Sequence, residues 1–128
     1  MKIILVDDEP YTIIGMMSEL EDLFPNAQID EYRNPLVFLQ QDVFSADDAV
    51  YVIDYNMSPL TGFDTIKKIC DNTGAVELQN VFLYTGNIAY IPDLEKNSLL
   101  SLKVTILEKG TGKQDLFAKI EEKFYGAA

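Results

Sequence analysis

Four short apolar runs recur along the chain, at residues 3–6, 50–53, 81–84 and 104–107. Each is rich in β-branched, leucine or aromatic side chains, and none shows the alternation of a strand with one exposed face. Continuous apolar runs of this length predict strands that are buried on both faces, as in a parallel sheet. A fifth segment, residues 27–32, mixes acidic and apolar side chains, which favours a strand at the edge of that sheet.

Helices are predicted between these strands, because apolar residues recur there with helical spacing. Pro10, Asn34-Pro35 and Pro92 are expected at helix starts, and the second helix to run through Leu39. The predicted apolar faces are Ile13, Ile14, Met17, Leu20 and Phe24; Phe63, Ile66, Ile69 and Cys70; and Leu116, Phe117, Ile120 and Phe124. This alternation predicts an α/β fold, a doubly wound five-stranded parallel sheet, in one domain spanning residues 1–128.

The composition excludes several classes of function. The formal net charge of -11 argues against direct nucleic-acid binding, which needs a basic surface. Histidine is absent, so the chain is neither a histidine phosphocarrier nor a His-ligated metal enzyme. Its one cysteine, Cys70, is expected to be a small core hydrophobe, and a reducing compartment fits. No run is apolar and long enough for a membrane span or signal peptide, so we expect no membrane partner and a cytoplasmic location.

Polar side chains stand where four of the predicted strands end. Asp7 and Asp8 follow the first strand, Asp54 follows the third, Thr85 ends the fourth and Lys109 follows the fifth. Each alone could have an ordinary role, such as a helix cap or a solvated charge. Together they are predicted to meet at the carboxyl edge of one sheet, which is where open α/β sheets bind ligands.

The chemistry of this cluster points to phosphoryl transfer. Three neighbouring carboxylates repel one another unless a cation joins them, and Mg²⁺ prefers carboxylate oxygens, water and phosphate. Lys109 would supply a fixed positive charge and Thr85 a hydroxyl donor, which suits a reaction that depends on positioning and charge neutralisation. A carboxylate can itself be the nucleophile in such a reaction and would then form an acyl phosphate.

These residues occur in four motifs: ILVDDEP at 4–10, VIDYNM at 52–57 followed by Gly62, LYTG at 83–86 and LEK at 107–109. With them the chain resembles the receiver domains of two-component response regulators, of the chemotaxis-regulator type, over essentially its whole length. The resemblance implies a flavodoxin-like (βα)5 fold with strand order 2-1-3-4-5.

The same resemblance implies a role for each site residue. Asp54 would accept the phosphoryl group, Thr85 would bind a phosphoryl oxygen and Lys109 would pair with the phosphoryl group. The implied metal ligands are Asp7, Asp8, Asp54 and the backbone carbonyl of Asn56, with Asp8 direct and Asp7 acting nearby or through water. The phosphate would come from a sensor histidine kinase or a histidine phosphotransfer protein, and phosphorylation would change binding to a downstream protein that the sequence does not identify.

The chain departs from the family pattern at several positions. Proline follows the acceptor one place late, with Ser58 before Pro59, and Gly86 replaces the usual alanine. Ile106 stands where the family often has a switching aromatic residue. Gly110 replaces the proline after the lysine, and we expect a trans Lys109–Gly110 bond in which the glycine absorbs the turn.

Two other functions remain open. A haloacid-dehalogenase-type phosphatase also uses an Asp, a Thr, a Lys and Mg²⁺, but needs a second acid where this chain has Asn56. A degenerate receiver would bind partners without phosphorylation, and the complete set of Asp, Thr and Lys argues against it. The favoured interpretation is a phosphorylated receiver that is not an enzyme beyond catalysing its own phosphoryl uptake and loss.

Overall fold

The computed structural model describes residues 1–126; Ala127 and Ala128, the last two residues of the predicted domain, lie outside the described residues. Five strands alternate with five α-helices in this part of the chain. In chain order they are β1 Lys2–Val6, α1 Pro10–Leu23, β2 Gln28–Tyr32, α2 Pro35–Gln41, β3 Ala49–Ile53, α3 Gly62–Thr73, β4 Val81–Thr85, α4 Asp93–Ser101, β5 Thr105–Glu108 and α5 Lys113–Tyr125. A single 3₁₀ turn, Ile88–Tyr90, lies between β4 and α4.

The strands form one parallel sheet in the order β2-β1-β3-β4-β5. This confirms the predicted doubly wound α/β fold with strand order 2-1-3-4-5. β3 and β4 lie inside the sheet and are buried along their whole length, as their continuous apolar runs predicted. The mixed segment forms β2 at one edge of the sheet, also as predicted.

The core has two layers, one on each face of the sheet, because successive strand side chains point to opposite faces. Ile53 and Leu83 pack with residues of α2, α3 and α4 on one face. Val52 and Phe82, each one position away, pack with residues of α1 and α5 on the other. The sheet is therefore covered on both sides, and the edge where its strands end stays open between the helices.

Local hydrogen bonds start the helices close to the predicted positions. Pro10 is the first residue of α1, and the Glu9 carboxylate caps it by accepting a hydrogen bond from Thr12 N at 2.9 Å. Asn34 caps α2 as predicted, since its side-chain oxygen accepts from Leu36 N at 2.9 Å. Pro92 immediately precedes α4.

The prediction for the buried face of α1 is wrong at one position. Ile14 was expected in the core, but it is 57% exposed, and Met16 is buried instead beside Ile13 and Leu20.

Cys70 is half-buried rather than buried; it packs against the core, and burial raises the pKa of its thiol. That environment agrees with a packing role.

Gly110 absorbs the turn between β5 and α5, as predicted. In residues 1–126 the one cis peptide bond is Ser58–Pro59, so the Lys109–Gly110 bond is trans. The φ angle of Gly110 is 84°, a left-handed conformation that proline, with φ near -65°, does not adopt.

Among the described helices, none combines the length and the apolar character needed to cross a membrane.

Candidate functional site

The acidic side chains predicted from the strand ends lie together at the carboxyl edge of the sheet. Asp7, Asp8 and Asp54 each present a carboxylate oxygen, and the three atoms lie within 4.8 Å of one another. Lys109 Nζ is 3.1 Å from Asp7 Oδ2 and 3.1 Å from Asp54 Oδ1, so the ammonium group bridges two of the carboxylates. Thr85 is buried at the end of β4, and its carbonyl accepts a hydrogen bond from Lys109 N at 2.6 Å.

The pairing of β1 with β3 positions the two buried carboxylates. Val6 lies opposite Ile53 in the register, and Asp54 N donates to Val6 O at 2.9 Å, so the residues that follow the two strands remain neighbours. Asp7 is fixed further, because its Oδ1 accepts a hydrogen bond from Glu9 N at 2.9 Å. Backbone hydrogen bonds therefore fix the position of both residues, and one of them also orients the Asp7 carboxylate.

The start of α3 holds the segment that follows Asp54. Gly62 N donates to Tyr55 O at 2.7 Å. A Cβ at position 62 would lie 2.4 Å from the Asp54 carbonyl oxygen, so this close approach requires glycine. The Thr61 and Asp64 side chains form a capping box that fixes the first turn of the helix.

The remaining predicted ligand residues lie on the solvent side of the cluster. Asp8 is exposed, and its Oδ2 accepts a hydrogen bond from Ser58 N at 3.2 Å, which joins the β1–α1 and β3–α3 loops. Asn56 is exposed in the turn after Asp54 and lines a cleft together with Thr85. Metal coordination by the Asn56 carbonyl remains a prediction.

Burial and charge make Asp54 costly to ionise. Asp54 is 7% exposed; burial and then the Asp7 charge raise the pKa of its carboxyl group to about 6, although Lys109 opposes the shift. Burial alone would lower the pKa of Lys109, but the charges of Asp54 and Asp7 outweigh it and raise that pKa. The ammonium group is therefore charged near neutral pH and lies against the predicted acceptor.

The donor set fits a hard divalent cation. All three ligand atoms are carboxylate oxygens, the type that Mg²⁺ and Ca²⁺ prefer. When all three carboxylates are ionised, the Lys109 ammonium leaves two negative charges uncompensated, which is the charge that one divalent cation would neutralise. The sheet edge thus provides oxygen ligands for a metal, a fixed ammonium and a buried threonine.

Two contacts beside the site were not predicted from the sequence. The Tyr55 hydroxyl donates to Glu95 Oε1 on α4 at 2.8 Å, and the Glu108 carboxylate accepts from Ile88 N at 3.1 Å. Their partners lie 40 and 20 residues apart, so no local pattern indicates them. Of the other two tyrosines near the site, Tyr84 is buried in the core and Tyr90 is 81% exposed.

No protein-family model matches the chain, and no curated protein matches its sequence. Solved structures do match its fold. The response regulator TrrA from Thermotoga maritima, in complex with Mg²⁺-BeF, has a TM-score of 0.72 at 21% identity over 95% of this chain and 97% of that chain. The signal receiver domain of a DNA binding response regulator (merR) from Colwellia psychrerythraea has a TM-score of 0.76 at 22% identity, over 97% and 98% of the two chains.

A third match is a CheY-like response regulator receiver domain protein from Methanospirillum hungatei, with a TM-score of 0.72 at 18% identity over 97% of this chain and 93% of that chain. All three cover nearly the full length of both proteins and are receiver domains or response regulators. The fold implied by the sequence motifs is thus confirmed by the comparison of backbones. The chain has the fold of a response-regulator receiver domain.

Proposed function

We propose that this protein is a phosphorylation-activated receiver of a two-component phosphorelay, in which Asp54 accepts the phosphoryl group. The observation that carries the proposal is the position of Asp54, buried at the end of β3 with Oδ1 3.1 Å from Lys109 Nζ and two more carboxylates beside it. A structural ion pair would need one carboxylate for one ammonium, whereas this arrangement leaves negative charge for a cation.

The side chains have separable tasks in this reaction. An Asp54 carboxylate oxygen forms a bond to phosphorus, while the bond from phosphorus to the donor breaks and the donor keeps the electron pair. Lys109 compensates charge on the transferring group, and the Thr85 hydroxyl donates to one of its oxygens. Asp7, Asp8, Asp54 and the Asn56 carbonyl would hold Mg²⁺, which supplies charge neutralisation for the phosphoryl oxygens.

The proposal implies protein partners on both sides of the reaction. The donor would be the phosphohistidine of a sensor kinase or phosphotransfer protein. This chain contains no histidine that could act as the donor. Beyond its own phosphorylation and dephosphorylation the protein would not be an enzyme, and its output would be altered binding to a downstream protein. The Mg²⁺-BeF complex of the Thermotoga relative supports the choice of metal and of a phosphoryl analogue for tests.

Asp54 should take up one phosphoryl group. Incubation with acetyl phosphate and Mg²⁺ is expected to add the mass of one PO₃ group to the intact chain, and Asp54→Asn should abolish the addition. Asp71→Asn is a matched control, because it removes an exposed acid near the end of α3 and should be modified like wild type. Intact mass spectrometry with peptide mapping checks this result.

Three outcomes would contradict this assignment in different ways. A phosphoryl group on Thr85 or on a tyrosine would refute Asp54 as the acceptor. No uptake at all would favour the degenerate receiver. Hydrolysis of a generic phosphate ester for many turnovers per chain would favour the phosphatase, although Asn56 stands where that mechanism needs its second acid.

Mg²⁺ is expected to raise the melting temperature, because it relieves repulsion among the three carboxylates and binds the folded chain. At ten times the dissociation constant the gain is about 1.4 kcal/mol, or roughly 5 °C for a domain of this size. Asp8→Asn should remove most of the gain, while Asp71→Asn should keep it. Calorimetric melting curves with EDTA and with millimolar Mg²⁺ measure the effect; the same melting temperature under both conditions would count against the metal site.

A further inference from the structure

The segment between β4 and α4, residues 86–92, leads directly from Thr85 of the site to the first turn of α4. Two side chains from outside the segment hold this region. The Glu108 carboxylate accepts from Ile88 N at 3.1 Å, and the Tyr55 hydroxyl donates to Glu95 Oε1 at 2.8 Å. Within residues 1–126, these are the side-chain hydrogen bonds that join residues 86–95 to the rest of the fold.

Both holding side chains are adjacent in sequence to residues of the site. Tyr55 follows Asp54, and Glu108 precedes Lys109. The backbone of Tyr55 is itself fixed, because its carbonyl accepts from Gly62 N at the start of α3. The Tyr55 hydroxyl therefore reaches α4 from a backbone that is held by the start of α3.

The rest of the segment leaves room for movement. Gly86 is exposed, and a Cβ at this position would meet nothing within 4 Å. On β5, Ile106 lies opposite Leu83, and its apolar side chain offers no hydrogen bond to the segment. At the far end Ile91 is buried, which anchors the approach to α4. Tyr55 therefore holds the first turn of α4 by a side-chain hydrogen bond, while Glu108 holds the 3₁₀ turn before it.

We propose that Tyr55 is a positioning residue whose hydrogen bond to Glu95 holds the first turn of α4 in the resting arrangement and is lost when Asp54 is phosphorylated. This inference rests on the proposed function. A phosphoryl group on Asp54 draws the Thr85 hydroxyl towards it, and the segment after Thr85 moves with it. Tyr55 stays with α3, so its 2.8 Å bond to Glu95 lengthens and weakens.

A bond that exists in only one of two states biases the equilibrium between them. Removing it with Tyr55→Phe should favour the phosphorylated arrangement, so beryllofluoride should bind with Mg²⁺ about fivefold more tightly. Glu95→Gln keeps an acceptor oxygen and should have a smaller effect. Combining Tyr55→Phe with Glu95→Ala should tighten binding no further than either change alone, because both remove the same bond.

The test is isothermal titration of beryllofluoride in millimolar Mg²⁺, with amide exchange of residues 86–95 in EDTA as a second measurement. Tyr90→Phe is the matched control: it removes a hydroxyl from an 81% exposed ring beside the same cleft and should bind like wild type. In EDTA, the amide hydrogens of residues 86–95 should exchange faster in Tyr55→Phe than in wild type, because only the variant lacks the bond to Glu95. Amide exchange in α1 should be the same in both proteins.

Failure of this inference and failure of the proposed function give different results. If wild type does not bind beryllofluoride, the proposed function fails and this inference fails with it. If wild type binds but Tyr55→Phe binds equally or more weakly, the positioning role is refuted and the proposed function stands. Unchanged exchange at residues 86–95 in EDTA would also refute the positioning role, without reference to any bound ligand.

Discussion

Replacing Gly62 by alanine is expected to lower the free energy of unfolding by about 3 kcal/mol, near the upper end of the usual cost of overpacking. The added Cβ would lie 2.4 Å from the Asp54 carbonyl oxygen and 2.6 Å from Leu83 Cδ1. The first contact is with backbone, which cannot rotate away as a side-chain end can. The start of α3 must therefore retreat, which strains the Gly62 N to Tyr55 O hydrogen bond of 2.7 Å.

Gly15→Ala is the matched control for this substitution. Gly15 also lies in a helix, but a Cβ there would meet nothing within 4 Å, so alanine should stabilise the protein by about 0.5–1 kcal/mol. Urea unfolding of the two variants and wild type measures both effects. Surface substitutions usually change the free energy of unfolding by no more than about 0.5 kcal/mol. If Gly62→Ala stayed within that range of wild type, α3 would not approach Asp54 as closely as the structure shows.

A displaced α3 should also disturb the site, because Gly62 contacts the peptide unit of Asp54 itself. We therefore expect Gly62→Ala to slow phosphoryl uptake from acetyl phosphate even at temperatures where the variant remains folded. Gly15→Ala should react like wild type. This result would tie the stability of the α3 start to the geometry of the acceptor.

The sheet and the location of the site were predictable because both follow from short segments. A run such as 50–53 is apolar at every position, which is typical of a short strand buried on both faces. Because the carboxyl ends of parallel strands share one edge of a sheet, Asp7, Asp54 and Lys109 were expected at that edge. The topology therefore indicated where the cluster lies.

The buried face of α1 was less predictable, because two apolar stripes fit its sequence. Ile13 and Leu20 belong to both stripes, while Ile14 belongs to one and Met16 to the other. With 3.6 residues per turn, neighbouring positions differ by only about 100° around the axis. Packing against the sheet buries Met16 and leaves Ile14 exposed. The spacing of apolar residues in the sequence could not distinguish the two stripes.

The individual side-chain contacts between separate elements could not be predicted from the sequence. Lys109 was expected to face a phosphoryl group, but its bridge between Asp7 and Asp54 depends on side-chain positions at three strand ends. Tyr55 and Glu95 are 40 residues apart, and each residue alone resembles an ordinary surface side chain. Such pairs have no periodic signal, because they are determined by how loops and helices pack and not by local spacing.

Asp54→Asn is expected to make the metal-free protein more stable at pH 7 by roughly 2–3 kcal/mol. Burial and the nearby Asp7 charge raise the pKa of Asp54 to about 6 in the folded protein. The difference from the ordinary value of 3.8 corresponds to roughly 3 kcal/mol that folding must supply to keep this carboxylate ionised. Asparagine resembles the protonated acid in shape and charge, so the variant avoids that cost, while Lys109 keeps its contact with Asp7.

The stabilisation by Asp54→Asn should depend on pH. Between about pH 4 and pH 6 the folded protein binds more protons at Asp54 than the unfolded chain does, so this group's contribution to stability falls as the pH rises. Below about pH 4 the carboxyl group is protonated in both states, and wild type and Asp54→Asn should differ little. Above pH 6 the whole difference should be present. The raised pKa of Lys109 acts only in the alkaline range and does not affect this window.

Urea unfolding in EDTA at intervals from pH 4 to pH 7 measures this difference, with Asp71→Asn as the control for loss of one negative charge. The control removes an exposed carboxylate and should stay within about 0.5 kcal/mol of wild type at every pH. A variant Asp54→Asn that was less stable than wild type at pH 7 would mean that the contact with Lys109 outweighs burial and the charge of Asp7. In that case the site would be a satisfied ion-pair network, and the electrostatic argument that it needs a cation would fail.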